Sequence, residues 1–157
     1  MNCKMLLLYV PIILAYNFCL SQNNDNRKQV VEKLYTYFDS GKIEKLNEIV
    51  DEKLIDHDGR IKENGFAELK ELIISINQGF SNVKHEIEQI QLIGENKILV
   101  RWEMKAIHNG AFFGIPASNK SVVLNGHDIF AFKNGKISEQ WHIEELLSLM
   151  NQITIKN

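Results

Sequence analysis

The chain has 157 residues, 45% of them hydrophobic and 24% charged, with 20 acidic against 18 basic residues and a formal net charge of −2. That is ordinary composition for one globular domain. No block of like charge stands out, so the basic patch through which nucleic acid is normally bound is missing, and nucleic acid is not expected as a partner.

The first segment is set aside before any fold reasoning. Lys4 gives a short positive start, Met5 to Tyr16 is an uncharged apolar run, and Cys19 and Ser21 put small residues at the minus-three and minus-one positions of a cleavage point before Gln22. Residues 1–21 are therefore expected to be a secretory signal peptide, followed by a polar linker at 22–26 and one domain at 27–157. The protein is expected to be exported, periplasmic or secreted, with no membrane insertion after cleavage. A membrane anchor fits less well, because spanning needs roughly 20 apolar residues and Asn17 interrupts this run. A lipoprotein signal would acylate Cys19, but Tyr16, Asn17 and Phe18 before it are bulky. Both cysteines, Cys3 and Cys19, lie inside the segment. The mature chain would then have neither disulfides nor thiolate chemistry.

In chain order, Val30, Val31, Leu34, Tyr35 and Phe38 recur at three- and four-residue spacing and predict a helix ending near Ser40-Gly41. A shorter helical stretch follows, with Ile43, Leu46 and Ile49/Val50 on one face. Leu54 to Asn64 is polar and turn-like. Phe66, Leu69, Leu72, Ile73, Ile76 and Phe80 then mark a third helix with a strong apolar stripe. From Val83 the period changes to two, and Val83–Ile93, Lys97–His108, Ser121–Phe132 and Ile137–Ile143 read as strands. Gly94-Glu95-Asn96 and Lys133-Asn134-Gly135 supply the turns between them. Helices followed by an antiparallel meander make an α+β pattern.

Alternation sorts each strand into two faces. On Ser121–Lys133 the apolar face is Val122, Leu124, Gly126, Asp128, Phe130 and Phe132, with one carboxylate among them. Ionised carboxylates are rarely buried unless paired, since desolvation is costly. Asp128 is either a general acid or base whose pKa is raised by apolar surroundings, or a buried structural carboxylate tied to a backbone amide, an Arg or a helix end. On the neighbouring strand Ile98, Val100, Trp102, Met104, Ala106 and His108 share a face. On the last strand Ile137, Glu139, Trp141 and Ile143 do so. If these faces line one concave surface, they form an apolar cup with few polar groups, as small-molecule sites do. Trp102, Trp141, Phe112 and Phe113 read as wall or core. The five histidines (His57, His85, His108, His127, His142) are scattered without metal-ligand spacing, so no metal is expected. There is neither a G-x-S-x-G elbow nor a glycine-rich phosphate loop.

The stretch FFGIPASNKSVVLNGHDIF (Phe112–Phe130), then KNGKISEQW and LLSLMNQI, resembles the SnoaL-like polyketide cyclase (ester cyclase) family in order and spacing. The likeness extends back through Gly79-Phe80-Ser81-Asn82, Val100-Arg101-Trp102 and His57-Asp58. It implies a nuclear transport factor 2-like cone, with three N-terminal helices packed on a strongly curved, mostly antiparallel sheet that encloses a pocket. It also implies cofactor-free acid/base chemistry of the aldol cyclase or isomerase type on a hydrophobic small molecule. Asp128, in the matching G-x-D-I-F, would be the acid/base, with His108 in support. His57, Trp102, Met104, Phe112, Phe130 and Trp141 would line the pocket, and a homodimer would form through the outer sheet face, with Leu99, Val123 and Ile129. Departures from the pattern are Ser118-Asn119 in place of Thr-Gly, Ala131-Phe132 in place of the family's Arg, Glu145 at the tail aspartate, and the leader itself. A ligand-binding module without catalysis is the alternative, because fold does not fix function.

Overall fold

A computed structural model of the chain describes residues 9–58 and 64–154, with side chains described from residue 25 onward. Helix α1 spans Tyr9–Ser40. Val31, Leu34 and Tyr35 on its stripe are buried, with Phe38 packed against the core. Of the leader expected at residues 1–21, residues 1–8 lie outside the described residues, and the backbone of residues 9–21 is continuous with α1. Among the described residues no helix is long and apolar enough to cross a membrane. After α1 come a 3-10 turn (Ile43–Lys45) and the short helix α2 (Leu46–Ile49).

Strand β1 (Val50–Asp56) follows, then helix α3 (Gly65–Gly79) with Leu69, Ile73 and Ile76 buried. The meander is β2 (Phe80–Ile93), β3 (Lys97–His108), β4 (Ser121–Lys133) and β5 (Lys136–Glu144), closed by helix α4 (Leu146–Thr154). The five strands lie in the order β1-β5-β4-β3-β2, antiparallel throughout the meander, with β1 parallel to β5. Asn134 (φ 53) and Gly135 (φ 78) both take positive φ, as a two-residue hairpin turn requires.

Two elements differ from the sequence reading. The segment from Leu54, expected to be turn-like, begins inside β1. Only Val50, Leu54 and Asp56 of that strand are buried, and Asp51-Glu52-Lys53 breaks the alternation. Its hydrogen-bonding partner is β5, more than eighty residues away, so no local pattern announces it. The second is α4, a fourth helix beyond the three expected.

Helix α3 packs on both β1 and β2, the two edges of the sheet, while α1 packs on β2 and β5. One helix can touch both edges only if the sheet curls around it. The result is an α+β cone whose core lies between the helices and the concave face.

Candidate active site

The cone encloses an apolar cavity of about 120 Å³, walled by α1, α3, α4 and the inner faces of β2 to β5. Apolar side chains such as Leu34, Leu69, Met104, Phe112, Leu124, Phe130 and Leu149 make most of the wall. Its polar groups come from Tyr35, His85, Trp102, Asp128, Gln140, His142 and Glu144.

Asp128 is buried in this wall. The Trp102 indole N–H donates to its Oδ2 at 2.5 Å, and the Tyr35 hydroxyl donates to the same oxygen. No described residue donates to Oδ1. Burial pushes the carboxyl up, the Tyr35 and Trp102 hydrogen bonds pull it back, and the balance is a pKa of about 6. Tyr35 is pushed above its ordinary value by burial and by the Asp128 charge, so it remains a donor. Trp102 reaches Asp128 because Gly126, its cross-strand partner, has no side chain. A Cβ there would lie 2.1 Å from the indole Cζ2.

At one end of the cavity β1 and β5 build a polar cluster. Gln140 Nε2 donates to Asp56 Oδ2 (2.9 Å), and His142 stands between Asp56 (3.4 Å) and Glu144 (3.3 Å). Hydrogen bonds to Asp56 and Glu144 outweigh desolvation and raise His142 to about 10. Burial pushes Asp56 up, but hydrogen bonds from His142 and Gln140 overcome it and bring it to about 2. His142 is the cross-strand partner of Asp128. The cavity therefore holds an imidazolium beside a carboxyl of raised pKa.

On the opposite side His85 also faces the cavity. Its Nδ1 lies 2.6 Å from Asp39 Oδ1, and its backbone N–H donates to the same carboxylate.

Of the expected site residues, Asp128, Trp102, Met104, Phe112 and Phe130 come together on the cavity wall. Three do not. Trp141 and His57 stack on each other instead, ring centroids 4.1 Å apart, away from the cavity. His57 Nε2 pairs with Glu139 at 2.8 Å, and Lys97 Nζ covers Trp141 at 4.1 Å. The reason is a bulge at Ser138: Ala131 faces Glu139 but Phe132 faces Ile137, so two β5 residues answer one step of β4. Alternation slips by one, and Gln140, His142 and Glu144 turn inward in place of Trp141. His108 is fully buried beneath Phe80, ring centroids 5.2 Å apart, and is not part of the cavity wall. Its Nδ1 accepts from the Ser118 backbone N–H (3.2 Å), which leaves the proton on Nε2, an atom with no partner among the described residues. Burial lowers its pKa, and its visible work is to fasten the loop that carries Phe112.

Tyr35, His85, His142 and Glu144 were not singled out by the sequence reading. A signal for His85 existed: Val83, His85 and Ile87 alternate with Lys84, Glu86 and Glu88, which puts the imidazole on the apolar side. For Tyr35 there was none beyond its place on a core stripe.

The family model for the SnoaL-like polyketide cyclases matches residues 28–153. No curated protein matches the chain. Among solved structures, TsrD from Streptomyces laurentii is similar with a TM-score of 0.75 at 18% identity, over 83% of this chain and 96% of that one. A proposed SnoaL-like polyketide cyclase from Jannaschia sp. CCS1 gives a TM-score of 0.72 at 16% identity, over 85% and 94%. A proposed polyketide cyclase from Bacillus cereus gives 0.68 at 27% identity, over 82% and 80%. With the cone, its cavity and the G-x-D-I-F strand all inside the matched span, the chain belongs to the SnoaL-like polyketide cyclase family.

Proposed function

We propose that the protein binds a hydrophobic small molecule in the cavity and, without a cofactor, moves a proton at a carbon next to a carbonyl, as an aldol cyclase or isomerase does, with Asp128 as the base. One observation carries the reading: a carboxylate with a pKa of about 6 sits in an apolar wall, held through Oδ2 alone. Such a group is still mostly ionised at neutral pH, yet it is a stronger base than an ordinary aspartate. Oδ1 is left to take the proton. Tyr35 and Trp102 fix the carboxylate and limit its rotation, and the apolar wall keeps water from competing. The His142 imidazolium supplies positive charge in the same cavity for the enolate oxygen that develops.

The test is deuterium uptake from heavy water into a panel of hydrophobic ketones and β-keto esters, wild type against Asp128→Asn. Exchange that depends on Asp128 is the expected result. Exchange that survives the substitution sinks the assignment. Binding of the panel without exchange in either protein favours the ligand-binding module, which also predicts affinity unchanged in Asp128→Asn.

The proposal includes export through residues 1–21, supported by the basic start, the apolar run and the small residues before Gln22. Amino-terminal sequencing of the processed protein should begin at Gln22, and an unprocessed cytosolic protein argues against export. It also includes a homodimer through the outer sheet face, where Val123 is exposed and Leu99 and Ile129 are half-buried. Sedimentation showing only monomer removes it.

A further inference from the structure

The His85 ring on the cavity wall belongs to a second histidine–carboxylate pair, with Asp39 behind it, that the chemistry above leaves unused. Asp39, near the end of α1, accepts from the backbone N–H of His85 through both oxygens (3.1 and 3.2 Å) and lies 2.6 Å from the ring Nδ1 through Oδ1. A carboxylate can only accept, so Nδ1 carries the hydrogen of this bond, and the neutral ring has a bare Nε2. The His85 side chain is nearly inaccessible to solvent (4%), lines the cavity, and has no described hydrogen-bond partner at Nε2. A carboxylate that fixes the tautomer and the direction of an imidazole is the arrangement by which a histidine is prepared for proton transfer.

Its surroundings connect it to Asp128. The ring packs on Tyr35 and Trp102, with centroids 5.3 and 5.1 Å apart, and these are the two side chains that hold the Asp128 carboxyl. Phe38 closes the other side at 5.6 Å. The orientation is built into β2. Register shifts between Ser81 and Lys84, with Asn82 at φ 54, bring His85 opposite Met104, an inward-facing residue of β3.

We propose that the Asp39–His85 pair is a second proton-transfer centre of the cavity, acting on the substrate oxygen of the aldol-type reaction while Asp128 acts on carbon. This rests on the reading of Asp128 given above. In the cleavage direction, His85 Nε2 takes the proton of the β-hydroxyl. The oxygen's electron pair forms the aldehyde C=O as the bond between the carbinol carbon and the α-carbon breaks. The released pair becomes an enolate, whose carbon takes the proton of the Asp128 carboxylic acid. His85 has then gained one proton and Asp128 has lost one, and solvent restores both. Ring closure is the same path reversed, with the protonated His85 delivering its proton to the carbonyl oxygen as the carbon–carbon bond forms.

Two probes separate this inference from the reading beneath it. Deuterium exchange at the α-carbon of 4-(2-naphthyl)butan-2-one needs only the carbon base. Cleavage of 4-hydroxy-4-(2-naphthyl)butan-2-one to 2-naphthaldehyde and acetone needs both centres. His85→Gln and Asp39→Asn are expected to lower naphthaldehyde release by about 100-fold, the range of a general acid or base, and exchange by less than about 10-fold. Asp128→Asn is expected to abolish both. Loss of exchange and cleavage in equal proportion, cleavage indifferent to His85, or exchange without any cleavage in the wild type overturns the second centre. Absence of exchange in the wild type instead overturns the reading of Asp128. Asp39→Asn retains one acceptor oxygen for the Nδ1–H, and 15N spectra of histidine-labelled protein report directly on His85. Addition of 4-(2-naphthyl)butan-2-one should move its Nε2 resonance, and an unmoved resonance contradicts a ring that faces bound substrate.

Discussion

Trp102 and Gly126 face each other across the β3–β4 ladder, and the indole fills the space a side chain at position 126 would need. The consequence is felt two residues on, where the same indole donates to Asp128. Gly126→Ala should therefore act in two ways. Its methyl would lie 2.1 Å from Cζ2, so the ring must move, at a cost of about 1–3 kcal/mol for overpacking. The hydrogen bond to Asp128 should go with it. A lower thermal midpoint together with altered tryptophan fluorescence is the expected outcome. Unchanged fluorescence would show that the ladder yields rather than the ring.

Trp102→Phe isolates the hydrogen bond from the packing. Burial raises the Asp128 pKa and the indole donation, with that of Tyr35, lowers it, for a balance of about 6. Its removal should move the Asp128 midpoint upward, as read by carboxyl 13C shifts against pH or by the pH profile of deuterium exchange. A midpoint at or below about 6 contradicts the role given to Trp102.

Asp128→Asn should stabilise the protein in a pH-dependent manner. The folded pKa of Asp128 stands above its ordinary 3.8, so the fold favours the protonated form. Its contribution is fully present below about 3.8 and is lost as pH rises through about 6. At pH 8 the wild type therefore bears a cost that the amide lacks, on the order of 1–3 kcal/mol. Urea denaturation should show the variant more stable at pH 8, with the difference shrinking toward pH 4. A variant equally or less stable at pH 8 argues against the raised pKa.

The His142 cluster has the opposite balance, because its charged forms are the favoured ones. His142, raised to about 10, contributes stability that is full below about 6.5 and lost as pH rises through about 10. Asp56, lowered to about 2, contributes above about 3.8 and loses its effect as pH falls through about 2. The stability difference between wild type and His142→Gln should be greatest between about pH 4 and 6.5. It should narrow toward pH 10, and a difference independent of pH would mean that packing alone is at work.

Much of the fold is legible in local pattern, because burying one face of a helix or a meander strand forces apolar residues to recur at that element's own period. The α1 stripe through Val31, Leu34 and Tyr35, the α3 stripe and the four meander strands are all of this kind. Asp128 is legible for the same reason: a single carboxylate on an otherwise apolar strand face must be paid for by some special environment.

What escaped was set by contacts distant in sequence or by breaks in period. β1 is a strand because it pairs with β5, and its own charged residues do not announce it. One extra residue at Ser138 exchanges the faces of β5, taking Trp141 out of the cavity to meet His57 and bringing in His142. His85 could be placed on the apolar side of its strand, but its partner Asp39 lies on a helix forty-six residues earlier. By itself the sequence determined the family, the order of the main elements and the one carboxylate worth asking about. Only the tertiary structure decided which donors surround that carboxylate and which histidines share its cavity, because a hydrogen bond across a curled sheet depends on register and bulges that no local period records.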